Sequence, residues 1–172
     1  LAEKMGAGLG TGPLLQRGLS QGETHHNGAA EMNTCFVIHA AATWGLVGLI
    51  WVIQIVHYPL LKDVGRSEFI SYHERHMALI TWVVGPLMLV EIGSAGLLLA
   101  LGERSLGFVV SLIPLAVVWA STGFLQIPLH QKLTQGYDIA TLDRLVSTNM
   151  WRTFAWTLRG LCLAMQLVLM LH

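Results

Sequence analysis

Charge is the first thing this sequence has little of. Only 12% of its 172 residues are Asp, Glu, Lys or Arg, with ten of each sign, so the formal net charge is zero. Hydrophobic residues make up 53% of the chain and the mean hydropathy is +0.58. That is too apolar and too poor in charge for an ordinary soluble domain, and it specifies an integral membrane protein. A neutral chain gives no reason to expect nucleic acid or a strongly acidic partner. Cysteine is scarce as well. Cys35 opens the first apolar segment and Cys162 sits well inside the last, at different depths, so the two are expected to pack unpaired and say nothing about redox compartment. There is no phosphate-cradling glycine loop of P-loop or dinucleotide type, and no Ser/His/Asp or Cys/His spacing that marks a nucleophilic site.

The Gly-rich, polar stretch of residues 1–31 lacks the apolar core of a signal peptide. Alone it is expected to be disordered, an extension on a core that could start at Met32. Four apolar segments come after it, approximately 34–58, 77–101, 107–129 and 149–171. Each has the roughly 20 residues that a helix needs to cross a hydrocarbon layer about 30 Å thick. The expected fold is therefore an all-α integral membrane four-helix bundle over residues 32–172, carrying a polar N-terminal tail. The connection from Leu61 to His76 and the matching stretch from Gln131 to Ser147 suit short interfacial helices. Gly102-Glu103-Arg104-Ser105 is only a tight turn, which makes the second and third segments an antiparallel pair. Lys62, Arg66, Arg75, Lys132 and Arg144 share one side while the short opposite loop has only Arg104. The positive-inside rule then puts the long loops in the cytoplasm and both termini outside, in a bacterial inner membrane. Pro59-Leu60-Leu61-Lys62 before Gly65 resembles Pro128-Leu129-His130-Gln131-Lys132 before Gly136, a pattern that a duplication into two parallel two-span repeats would leave.

The stretch that organises the chain is Asn149 to Arg159, which puts two arginines and an asparagine into an apolar helix. At helical spacing Asn149, Arg152, Trp156, Arg159 and Gln166 form one stripe, with Phe154, Leu158, Leu161 and Leu169 away from it. A charge near mid-bilayer costs on the order of 3 kcal/mol on insertion scales, so it must face protein or water inside a bundle. Each other segment owns a polar stripe of its own: His39, Thr43, Gln54 and His57 in the first, Glu91 in the second, and Ser111, Thr122, Gln126 and His130 in the third. Such stripes converge in lipid. Glu91 and Arg159, both near mid-span, are expected to form a buried ion pair. The alternative leaves Glu91 protonated and hydrogen-bonded, with Arg152 snorkelling to the interface. His73 and His76 stand one helical turn apart, a spacing that suits one metal ion, with His130 or Glu74 as a further ligand. A bis-histidine haem on His57 and His130 is a rarer option. The six tryptophans read as core residues or interfacial anchors.

Several runs resemble a set of small uncharacterised bacterial four-span proteins: Ile38-His39-Ala40, Val56-His57-Tyr58-Pro59, Trp82-Val83-Val84-Gly85-Pro86, Leu125-Gln126-Ile127-Pro128 and Thr148-Asn149-Met150-Trp151-Arg152-Thr153. The resemblance covers nearly everything after Met32. The Asn149-x-x-Arg152-Thr153 run is also similar, more distantly, to the anthrone-oxygenase-like membrane family, whose studied members oxidise polyketide anthrones without an evident cofactor. That likeness implies that His57, Gln126, Asn149 and Arg152, with Gln54 beside them, line a shared cavity at the cytoplasmic end of the bundle.

Three functions fit these observations. The first is a non-catalytic accessory or assembly subunit of a larger photosynthetic or respiratory membrane complex, held by its outer helix faces and tail among membrane-protein partners. The second is a membrane enzyme or binder for a quinone, pigment or other apolar small molecule in an intrabundle cavity, with Arg152 stabilising negative charge and His57 shuttling a proton. The third is a proton or ion carrier using Glu91 and Arg159. The sequence names no cofactor.

Overall fold

The computed structural model describes the backbone of residues 12–170 and the side chains of residues 28–169. Among these residues the chain is all-helical. Helix α1 (Gly12–Val52) runs through a π-helical turn (Ile53–His57) into α2 (Tyr58–Leu61), and α3 (Phe69–Ala100) returns. After a short turn, α4 (Leu106–Ser121) runs through a second π turn (Thr122–Gln126) into α5 (Ile127–Leu133), and α6 (Ile139–Met170) returns. Three stretches, Gly28–Leu61, Phe69–Ala100 and Leu106–Leu133, are long and apolar enough to cross a membrane. The outer faces carry large apolar side chains such as Trp82, Phe124 and Leu106, which a bilayer would cover. Residues 102–105 form the short turn, and Ser105 caps α4 by accepting from the Phe108 N–H at 3.4 Å.

Three expectations need correction. The stretch read as a disordered tail is helical from Gly12 onward, because extending an existing helix costs far less than starting one. Its first 11 residues lie outside the described part. No separate interfacial helices occur among the described residues: 69–76 are the first turns of α3, and 139–148 the first turns of α6. Burial explains this. Phe69 and His73 are both fully buried, and Phe69 meets Tyr137 edge-on with ring centroids 5.1 Å apart, which pins the start of α3 inside the bundle. Finally, α3 and α4 share a turn without packing extensively on each other; α3 lies on α1, α1 on α6, and α6 on α4.

Both π turns have the same local cause. Pro59 and Pro128 lack an N–H, and a proline ring collides with the carbonyl four residues back. One extra residue upstream relieves the collision, with the N–H of Tyr58 donating to the Ile53 carbonyl and that of Ile127 to Thr122. Each insertion also turns the remaining helix by about 100°. Tyr58 and His130 thereby face the bundle interior, where both are buried.

The polar stripe of α6 faces inward as its spacing requires. Asn149, Arg152, Trp156, Arg159 and Gln166 are all buried, whereas Phe154, Leu158, Leu161 and Leu169 are all exposed. Gly160 lets α1 approach α6: a Cβ there would lie 3.2 Å from Val47 Cγ2 and 3.4 Å from the Trp44 ring. At the loop end Lys62 pairs with Asp143, the Tyr137 hydroxyl donates to the Lys62 carbonyl at 3.2 Å, and Arg66 covers the Tyr137 ring.

Candidate functional site

Two polar clusters occupy the interior, and their difference in hydrogen bonding separates architecture from site. The first is centred on Glu91, which is fully buried, as is Arg159. Arg159 Nε donates to Glu91 Oε1 at 2.9 Å, so the ion pair expected from mid-span placement forms. Thr43 donates to the same oxygen at 2.8 Å, and Trp156 Nε1 to Oε2 at 3.2 Å. The rest of the guanidinium reaches the Ser111 carbonyl and hydroxyl and, at 2.7 Å, His39 Nε2. His39 Nδ1 in turn meets the Ser94 hydroxyl at 2.7 Å. All four long helices, α1, α3, α4 and α6, contribute, and neither carboxylate oxygen is left bare. A buried pair satisfied this fully fixes packing rather than offering a reactive group.

The second cluster lies toward the loop end and is incompletely satisfied. Gln54 Nε2 donates to the Val146 carbonyl at 3.3 Å, and its oxygen accepts from Asn149 Nδ2 at 2.8 Å. Asn149 Oδ1 accepts from Arg152 at 3.1 Å. This chain aims the Arg152 guanidinium over the Trp156 ring, 5.0 Å from its centroid. Arg152 is only 7% exposed, it has no carboxylate partner among the described residues, and its buried Nε has no acceptor. Gln126 donates to the Thr148 hydroxyl at 3.0 Å while its own oxygen is buried and unpartnered.

Gln126, Arg152 and Trp156 border a cavity of about 300 Å³. Its wall is mostly aliphatic, from Leu46, Ile50, Ile80, Val84 and Met88, and its polar spots include Tyr58, His76, Gln126, His130, Arg152 and Trp156. The cavity lies between α1, α3, the α4–α5 rod and α6. Of the residues expected to line a shared cavity, Gln126 and Arg152 do so. Gln54 and Asn149 stand behind the wall and orient Arg152. His57 is also off the wall, with its ring stacked 4.1 Å from that of His76.

His73, His76 and His130, the expected metal ligands, share this end of the bundle. The rings of His73 and His130 stack at 5.3 Å, and each lies 6.3 Å from His76. Glu74, considered as a further ligand, is exposed. Among the described residues, no three His, Cys, Asp or Glu side chains already stand in a metal-binding arrangement. Sequence spacing missed Tyr58, whose hydroxyl lies 3.3 Å from His130 Nε2, and the cavity role of Trp156. A tyrosine just before Pro59 was the available signal, because the proline forces the π turn that points it inward. Cys35 and Cys162 are both free thiols.

Comparison with known proteins returns no match: no family profile fits the chain, and no curated protein or solved structure is significantly similar to it.

Proposed function

We propose that this protein binds an apolar small molecule inside the membrane and holds an electron-rich oxygen of that molecule, such as a phenolate or quinone carbonyl, against Arg152. One observation carries the proposal: a buried guanidinium, without a counter-carboxylate among the described residues, stands on the wall of a mostly aliphatic cavity. Desolvating an unpaired cation costs several kcal/mol, so this position favours an anionic or strongly polarised ligand atom. Trp156 offers a flat aromatic surface next to the cation, which suits a planar ligand. His76 and His130 border the same cavity and are placed to exchange a proton with a ligand hydroxyl. The anthrone-oxygenase-like resemblance points to the same ligand class.

On this proposal α6 is the fourth span, since its two arginines are buried against protein. The α1–α3 and α4–α6 hairpins act as two parallel repeats, with both long loops in the cytoplasm. The test is to purify the protein from its native membranes in mild detergent, extract it and identify retained small molecules by mass spectrometry. Quenching of tryptophan fluorescence by a hydroxyanthraquinone probe supplies an affinity. R152Q should weaken the probe about 10- to 100-fold, the value of a charge-assisted hydrogen bond, and R152K less. Equal affinity in folded wild type and R152Q refutes the proposal. A stoichiometric membrane-protein partner with no small molecule in the extract would make the chain an accessory subunit instead.

A further inference from the structure

Among the buried polar atoms that lack a partner, Gln126 Oε1, His130 Nδ1 and Arg152 Nε belong to residues on the cavity wall. Bare polar atoms on such a wall state what an occupant must supply. Arg152 Nε is a donor and asks for an acceptor. His130 can play either part, because its other nitrogen lies 3.3 Å from the Tyr58 hydroxyl, which both donates and accepts. Gln126 is the informative member. An amide can leave either its oxygen or its NH₂ unused, and the choice decides which ligand fits.

The hydrogen bonds around Thr148 fix that choice. Its single hydroxyl proton goes to the backbone of its own helix, 2.7 Å from the Arg144 carbonyl and 3.3 Å from that of Leu145. The hydroxyl therefore offers Gln126 only a lone pair, which the Gln126 NH₂ meets at 3.0 Å. Reversing the amide would set its oxygen against those lone pairs. The Gln126 oxygen is thus held as a bare acceptor on a side chain that is only 2% exposed. Thr148 and Arg152 stand four residues apart on α6, about 6 Å along its axis, so the pinned amide and the guanidinium act on one small region of the wall.

We infer that Gln126 sets the specificity of the cavity: its oxygen accepts from a hydroxyl that the ligand carries in addition to the oxygen held by Arg152. The ligand class is then a planar ring with two oxygens, at least one of them a hydroxyl, as in a quinol or a hydroxyquinone. A plain quinone satisfies Arg152 and leaves the Gln126 oxygen bare. A site built to bond a hydroxyl rejects the analogue that lacks it more strongly than an apolar pocket rejects a missing methylene. An amide oxygen takes a hydrogen bond without taking the proton, so the hydroxyl at Gln126 stays protonated and the oxygen at Arg152 is the one that can ionise. This inference rests on the ligand proposal above and narrows it.

The experiment measures quenching of tryptophan fluorescence in the full chain by two probes, 2-hydroxyanthraquinone and anthraquinone, at a pH where the hydroxyl is protonated. Wild type should prefer the hydroxylated probe about 10-fold. Q126L should bind anthraquinone as wild type does and lose the preference. R152Q should weaken both probes and keep it, which separates this inference from the claim about Arg152. T148V supplies a second variant that leaves Gln126 in place. It frees the amide to turn, so the preference should fall while anthraquinone binding holds. Equal affinity of wild type for the two probes overturns the inference, as does a preference that survives in folded Q126L or T148V. A preference lost in R152Q and kept in Q126L also overturns it, placing the hydroxyl at Arg152 and leaving the ligand proposal intact. Folded wild type that binds neither probe overturns both.

Discussion

Glu91 accepts from Thr43, Trp156 and Arg159, three donors on two neighbouring helices, and none of the bonds is shared with water because Glu91 and Arg159 are fully buried. E91Q keeps the shape of the side chain and reverses part of its polarity. Its amide NH₂ would confront at least one of those donors, and Arg159 would lose the carboxylate it pairs with. Breaking one side of a buried pair costs about 3–5 kcal/mol. For a chain of this length each kcal/mol lowers the melting temperature by about 2–4 °C, so E91Q should melt about 6–20 °C below wild type. R159M should cost a similar amount. The double variant E91M/R159M should recover about 0.5–3 kcal/mol relative to the sum of the single changes, since no unpaired charge remains. Recovery stays partial because His39 Nε2 and the Ser111 carbonyl both lose their donor. The assay is thermal unfolding in detergent followed by tryptophan fluorescence, with gel filtration to confirm a single species. An E91Q variant that melts within about 2 °C of wild type would refute the claim that this pair holds the bundle.

Two further outcomes are expected. G160A places a methyl group 3.2 Å from Val47 Cγ2 and 3.4 Å from the Trp44 ring, and should cost about 1–3 kcal/mol in thermal unfolding; no loss would mean that α1 and α6 approach less closely than described. Asp138, at the start of α6 outside the spans, accepts from Thr141 and pairs with Lys132, and these contacts hold its carboxyl below the usual 3.8. A depressed acid contributes stability above its unfolded-state value and loses it as pH falls through the folded value. The stability difference between wild type and D138N should therefore be present at neutral pH and vanish in acid below that range; a difference that grows on acidification would contradict this.

The helical architecture was legible because lipid makes two demands of a sequence, long apolar runs and inward-facing charges. The stripe from Asn149 to Gln166 could be read at helical spacing, and the pair of Glu91 with Arg159 followed from having two lone charges at similar depth. Spacing failed where the helix period itself changes. A residue inserted at each π turn shifts everything after it, so a period of about 3.6 carried past Gln54 misplaces Tyr58 and His57 relative to the cavity. The boundaries of α3 and α6 were misread for another reason. Their first turns are polar along the chain, yet buried contacts such as Phe69 with Tyr137 depend on a partner far away in sequence. The cavity between α1, α3, the α4–α5 rod and α6 was equally hidden, since a tight turn implies neighbours and says nothing about whether they pack.

The contrast between the two interior clusters leads to one more expected outcome. Around Glu91 every strong donor and acceptor is engaged, and the cluster can be removed only at a loss. Around Arg152 the Nε has no acceptor, Gln126 keeps a bare oxygen, and a cavity stands where side chains would otherwise pack. Such groups persist where function requires them, at a cost in stability. R152M should therefore raise the melting temperature of ligand-free protein by the equivalent of about 1–4 kcal/mol, because a flexible apolar side chain replaces an unpaired buried cation and fills part of the cavity. The gain is limited by the Asn149 oxygen, which loses its donor. Thermal unfolding of R152M beside R159M, both stripped of ligand by repeated detergent exchange, separates the two roles. Equal destabilisation of both variants would mean that Arg152 belongs to the framework of the bundle and that the cavity has no cationic anchor held in reserve.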